Sequence, residues 1–144
     1  MRYSPCADAA ERHPDIHIER CDIAPTRGVW VPSEHVILLD VALDMAGRRT
    51  TLAHELAHID LGHRPANGWF GRRMEHDADR LAAQRLLGSV EDIADAICVH
   101  PIDPDKVAEH LGITLCVLRR RLSLLTGAEK TYIEQRLANR ENGA

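Results

Sequence analysis

The chain has 144 residues, 44% of them hydrophobic and 28% charged, which is enough for one compact domain and a small appendage. Its formal net charge of −4 gives no electrostatic reason to expect nucleic acid or an anionic membrane as the main partner. The N-terminus lacks the basic and apolar regions of a signal peptide, apolar runs are too short to span a bilayer, and the four cysteines form no CxxC pair, so we expect a cytoplasmic protein with reduced thiols.

The first forty residues predict a short helix followed by a small sheet. Residues 5–13 can form a helix that Pro14 stops. Residues 15–40 contain three β-rich segments, DIHIERCDI, GVWV and HVILLD, and the first alternates apolar and polar side chains. We therefore predict two or three short antiparallel strands between residues 15 and 40.

A long helix follows, in the segment TTLAHELAHIDLGH, and Thr50 or Thr51 is the expected N-cap. Leu52, Leu56 and Ile59 lie on one face of this helix, and the two histidines of HELAH lie on nearly the opposite face. Such a helix is expected to pack against the core on one side and to face a cleft on the other.

The letters HELAH fit the HExxH pattern of zinc peptidases. Two histidines four residues apart on a helix, His54 and His58, can reach one ion. Glu55 projects beside the ion and can take a proton from the reacting water, which zinc acidifies. Chance alone would give this pattern in roughly 4% of chains of this composition, so its position inside an apolar helix is what favours a site.

A third ligand is needed, and carboxylates on the next predicted helix, about Arg73–Leu87, can supply it. Sixteen residues separate His58 from Glu75, and Asp79 follows one helical turn later. Both share a stripe with apolar residues, so we expect both to face inward. Glu75 is the favoured ligand, with Asp79 and His76 as rivals, and Asp79 is expected to accept the ring N–H of a ligand histidine, most simply His54.

The metzincin arrangement does not fit the residues after the HExxH helix. That pattern needs Gly at position 61 and His at position 64, where this chain has Leu61 and Arg64. His63 is therefore interpreted as a residue of the helix end. Trp69 and Phe70, in the loop RPANGWFG, could equally line a substrate cleft or anchor the core.

Further helices are predicted up to the C-terminus. Ser89 caps one that ends near Val99, Asp103-Pro104 starts another that Gly112 ends, Thr114 caps the next, and a final helix runs near Glu129–Asn139. We divide the chain into a catalytic domain, residues 1–100, and a helical tail, residues 101–144, packed on it.

The tail fits a helix-turn-helix pattern at several positions, but Arg121 stands where a third apolar residue is usual. Its seven basic and six acidic residues leave only +1, so DNA binding is not the favoured interpretation. Residues Arg119–Arg121 could touch phosphates or form a solvated face.

The helix TLAHELAHIDLGH followed by EHDADRLAAQRLL resembles the ImmA/IrrE family of metallopeptidases, found in bacteria, mobile elements and phages. The likeness covers roughly Trp30 to Leu87. It implies a compact α+β zincin-like fold with a small sheet beside the HExxH helix, one zinc ion held by His54, His58 and Glu75, and Glu55 as catalytic acid/base. Many relatives carry a proline where this chain has Gly88-Ser89.

The resemblance also implies a substrate class, because family peptidases cleave a helix-turn-helix transcriptional repressor. We therefore expect a zinc endopeptidase acting on a regulatory protein. The alternatives are a non-proteolytic zinc-containing regulator that binds a repressor or DNA, and a zinc hydrolase with a non-peptide substrate. An oxyanion donor is expected too, with His63, His76, His100 and Tyr132 as open candidates.

Overall fold

The computed structural model describes residues 2–143, which fold into an α+β arrangement of seven α-helices and a three-stranded sheet. The helices are α1 (Pro5–Arg12), α2 (Met45–Asp60), α3 (Gly68–Leu86), α4 (Val90–Val99), α5 (Pro104–Leu111), α6 (Leu115–Ser123) and α7 (Gly127–Glu141). The strands are β1 (His17–Cys21), β2 (Gly28–Val31) and β3 (Val36–Asp40). The predicted fold class is thus confirmed.

The sheet is mixed, so the prediction of purely antiparallel strands is wrong. The strand order is β1-β3-β2, with β1 parallel and β2 antiparallel to β3. Alternation of side chains identifies a strand but does not say which strand lies beside it. Here β3 enters between the two strands that precede it, and β2 is left as an edge strand.

Helix α2 begins earlier than the sequence predicts. Its N-cap is Asp44, whose side chain accepts a hydrogen bond from the Gly47 amide, and not Thr50 or Thr51. The first turn lacks apolar residues at helical spacing, so the sequence pattern did not predict it as part of the helix. The predicted apolar face is confirmed at Leu52 and Leu56, which are fully buried in a cluster with Ile37 and Leu39 of β3.

Helices α2 and α3 pack on one another through alanines. Ala53 and Ala57 of α2 lie in one buried cluster with Ala78 and Ala82 of α3. Because alanine ends at Cβ, such an interface allows the two backbones to approach closely. The cluster continues into the C-terminal helices, with Val107, Leu111, Leu118 and Ile133 contributing. Residues on both sides of position 100 therefore share one core, while the division into two domains stays a prediction.

The predicted helix caps in the second half of the chain are confirmed. Ser89, Asp103 and Thr114 each accept a hydrogen bond from a backbone amide three residues later, and Gly112 ends α5 with φ +68°. Helix α7 begins two residues earlier than expected, behind a capping box between Thr126 and Glu129. Within residues 2–143, no helix combines the length and the apolar character needed to cross a membrane.

Candidate metal centre

The two histidines of HELAH and Glu75 converge on one point between α2 and α3. His54 Nε2 lies 3.0 Å from His58 Nε2 and 3.0 Å from Glu75 Oε2, and His58 Nε2 lies 3.0 Å from Glu75 Oε1. Ligand atoms around a tetrahedral zinc ion, each about 2.0–2.1 Å from the metal, are roughly 3.3 Å apart. The donor set, two imidazoles and a carboxylate, and its spacing therefore fit a divalent ion such as zinc.

Asp79 contacts the first histidine. Its Oδ1 lies 2.9 Å from His54 Nδ1, and the other ring nitrogen, Nε2, faces His58 and Glu75. Burial disfavours the charged imidazole, but the hydrogen bond and the negative charge of Asp79 raise the pKa of His54. A carboxylate at Nδ1 fixes the tautomer in which Nε2 carries the free lone pair.

Glu55 lies beside this group in a buried position, with 8% of its surface exposed. Desolvation raises the pKa of its carboxyl, and the charge of Glu75 adds to that shift, whereas the charge of His54 and the backbone of Trp30 on β2 oppose it. A carboxylate with a raised pKa next to a metal-binding group has the properties of a general acid/base.

The expectation that Glu75 and Asp79 face inward is wrong for Glu75. Its side chain is 61% exposed and that of Asp79 is 47% exposed. The stripe that both share with Ala82 faces the core only at its C-terminal end, where Ala82 and Leu86 are buried. At its N-terminal end it faces an open cleft, so the site is accessible to a large substrate.

His63 is a functional candidate that the sequence interpretation underrated. Its Nδ1 lies 2.9 Å from His58 Nδ1. The His63 amide bonds to the His58 carbonyl and the Gly62 amide to the Ile59 carbonyl, with Gly62 at φ +68°, which is a Schellman turn. The glycine after Leu61 is the sequence feature that could have predicted this contact. A turn of this kind folds the residue after the glycine back over the last helical turn.

The other candidates are less central. His76 is exposed, the His100 ring lies 5.6 Å from that of His110, and the Tyr132 hydroxyl accepts a hydrogen bond from Arg136 on α7. Neither His100 nor Tyr132 lines the cleft at the metal-binding group. Trp69 and Phe70 form the first turn of α3 and are 60% and 68% exposed, so they do not anchor the core.

Two connected depressions flank the group. A cleft of about 680 Å³ extends from His54 and Glu55 to α6, and a smaller one of about 230 Å³ extends from His58 along β2 to the segment before α3. Glu55 and Glu75 line both. The residues that could hold a metal thus lie where the two depressions adjoin and form one groove.

Comparison with known proteins gives the family. None of the curated proteins compared with the chain matches it. Residues 10–123 match the family model Peptidase_M78, described as the IrrE N-terminal-like domain, which extends from α1 to the end of α6. The chain therefore belongs to the IrrE N-terminal-like family of metallopeptidases.

Proposed function

We propose that the protein is a zinc-dependent endopeptidase with His54, His58 and Glu75 as ligands of one zinc ion and Glu55 as general acid/base. The observation that carries this proposal is the convergence of the three ligand groups within 3.0 Å of one another, beside a buried glutamate. The family supports a peptidase in general, and the geometry supports the assignment of roles.

Glu55 performs the proton transfers in this mechanism. Bound zinc would polarise the scissile carbonyl and acidify the reacting water. Glu55 would accept the proton of that water and then donate it to the nitrogen of the leaving amine. Its burial and the neighbouring Glu75 charge raise the pKa of its carboxyl, whereas the charge of a bound ion would lower it.

Strand β2 is the proposed binding edge for the substrate backbone. It is hydrogen-bonded to β3 on one side only, and its Gly28, Val29 and Trp30 line the groove together with Glu55. An extended peptide added to this edge would lie across the site, in the mode known as β-augmentation. The backbone of Trp30, which lowers the pKa of Glu55, would link the edge strand to the acid/base.

The proposed substrate is a helix-turn-helix repressor in the cytoplasm. This part of the proposal rests on the family resemblance of the sequence, and the exposed groove supports it because a folded protein needs an accessible site. A repressor encoded beside the gene is the first substrate to test.

The test is incubation of the purified repressor with the protein, loaded with zinc or treated with a chelator, and analysis of the fragments by mass spectrometry. We expect cleavage that depends on zinc and that Glu55→Gln reduces by at least about 100-fold, with one zinc per chain retained. Glu109→Gln, at an exposed glutamate of α5, is the matched control and should cleave normally. Cleavage by Glu55→Gln at the wild-type rate would exclude the mechanism. Full biological effect of Glu55→Gln without cleavage would favour a non-proteolytic regulator.

A further inference from the structure

The three consecutive arginines of α6 have three different environments. Arg121 is 5% exposed; its Nε donates to the Leu87 carbonyl at 2.6 Å, and its guanidinium lies 2.7 Å from Glu129. Arg119 is exposed and Arg120 is half-buried, and both line the cleft beside the metal-binding group. Of these three arginines, Arg121 is thus the one whose side chain stabilises the fold.

The guanidinium N–H groups of Arg120 are available to a ligand. Among the contacts within residues 2–143, its guanidinium forms no ion pair and no hydrogen bond, although Arg120 lines a surface depression together with Glu75 and Asp79. The nearby carboxylates have other partners, since Asp79 and Glu75 both contact His54. A half-buried guanidinium with free donors is suited to a carboxylate, which it can bind through two parallel hydrogen bonds.

The net charge of the cleft also favours a ligand with a carboxylate. Its lining contains three carboxylates, Glu55, Glu75 and Asp79, and three arginines, Arg27, Arg119 and Arg120. A divalent ion with neutral histidine ligands would leave the carboxylates with one net negative charge, and the arginines would then make the lining positive by two. The positive charge comes from two walls, α6 and the residue before β2.

From this arrangement we infer that Arg120, with Arg27 and Arg119 at the edges of the cleft, selects a substrate segment that carries an acidic side chain next to the scissile bond. This inference rests on the proposed peptidase function. Arg120 is then a specificity-determining residue on α6, and the helix forms one wall of the substrate cleft.

The test uses the zinc-loaded full chain and two pairs of peptide hydroxamates as probes. Each pair differs only in having Glu or Gln beside the zinc-binding group, and the pairs extend to opposite sides of it. Isothermal titration calorimetry should show at least one pair in which the Glu probe binds about tenfold more tightly, a preference that weakens as salt is raised.

Arg120→Gln should reduce this preference to less than about twofold, chiefly by weakening binding of the Glu probe, whereas loss of a merely structural role would weaken binding of both probes alike. Arg120→Lys should retain part of it, since the charge remains without the two-pronged geometry. Arg140→Gln, at an exposed arginine of α7, is the control and should keep the full preference.

Equal binding of Glu and Gln probes in both pairs, or an unchanged preference in Arg120→Gln, would overturn the inference alone. Failure of every hydroxamate to bind the zinc-loaded protein would overturn the proposed metal centre, and the inference with it. Competition of duplex DNA with the Glu probe, lost in Arg120→Gln, would assign the arginines to phosphate binding and overturn selection of an acidic peptide.

Discussion

Asp79 Oδ1 lies 2.9 Å from His54 Nδ1, so a carboxylate of α3 fixes the ring orientation of a proposed ligand on α2. The same helix supplies Glu75, one turn earlier, to the other side of that ring. The two helices are thereby connected through both nitrogens of one imidazole.

Asp79→Asn is expected to weaken zinc binding by about 10–100-fold, because the neutral amide no longer enhances the basicity of His54. Competition with a chromophoric chelator measures the affinity. Asp77→Asn is the matched control: Asp77 lies on the same helix and pairs with Arg73 at 3.5 Å. Equal zinc affinities for the two variants would show that Asp79 does not act on the metal centre.

His63→Ala should lower the zinc affinity by about tenfold, because His58 loses the partner of its Nδ1. For His58 to bind zinc through Nε2, its Nδ1 must carry the proton and donate to His63. His76→Ala removes an exposed histidine that was a rival ligand and should leave affinity and stoichiometry unchanged. A larger loss in His76→Ala than in His63→Ala would reverse the two assignments.

Much of the site could be predicted because its chemistry is local. The spacing of HELAH fixes two side chains on one helical turn, and the next amphipathic helix offers few carboxylates. The orientation of Glu75 could not be predicted, since one stripe of α3 faces solvent at one end and the core at the other. The contact of His63 with His58 and the position of Arg120 in the cleft could not be predicted for a related reason. The first depends on the path of the chain after a helix, and the second depends on the packing of helices far apart in sequence.

In the fold, too, features set by nearby residues could be predicted and features set by distant contacts could not. Caps such as Asp103 and Thr114 were predicted because they bond to amides three residues away. The parallel pairing of β1 with β3 depends on where the third strand inserts, which no local pattern records. The extra turn at the start of α2 was missed because Asp44 caps residues with no apolar periodicity.

Gly28→Ala should destabilise the protein by about 1–3 kcal/mol, because a Cβ there would lie 2.4 Å from Thr51 Cγ2 and 3.3 Å from the Leu38 carbonyl oxygen. Gly28 is where β2 approaches the HExxH helix, so peptidase activity should fall as well. Gly127→Ala is the control, since its Cβ would meet no atom within 4 Å and it lies at the start of a helix. Urea unfolding measures both, and equal stability of the two variants would contradict this reading of the contact.

Glu129→Gln should lower the free energy of unfolding near pH 7, because the buried Arg121 loses its charged partner. The hydrogen bond from Arg121, followed by that from the Thr126 amide, lowers the pKa of Glu129 in the folded state. The folded protein therefore releases this proton more readily than the unfolded chain, whose glutamate pKa is about 4.3. The stabilisation is complete above that value and is lost as the pH falls through the lower, folded pKa.

Urea titrations of wild type and Glu129→Gln between pH 3 and 7 measure the difference directly. We expect a constant gap above about pH 6 and a shrinking gap below about pH 4. A gap that widened on acidification would mean that the folded state raises, and does not lower, the pKa of Glu129.

The alanine interface between α2 and α3 has a consequence for how a metal ion would bind at the proposed site. Ala53, Ala57, Ala78 and Ala82 have no χ angles, so the spacing of the two helices is set by their backbones and cannot be retuned by a change of rotamer. The backbones that carry the three candidate ligand groups are consequently positioned by folding itself. Binding of an ion would then require little further ordering of the chain. Because the spacing of α2 and α3 is fixed, an ion whose preferred bond lengths do not match it would bind less tightly.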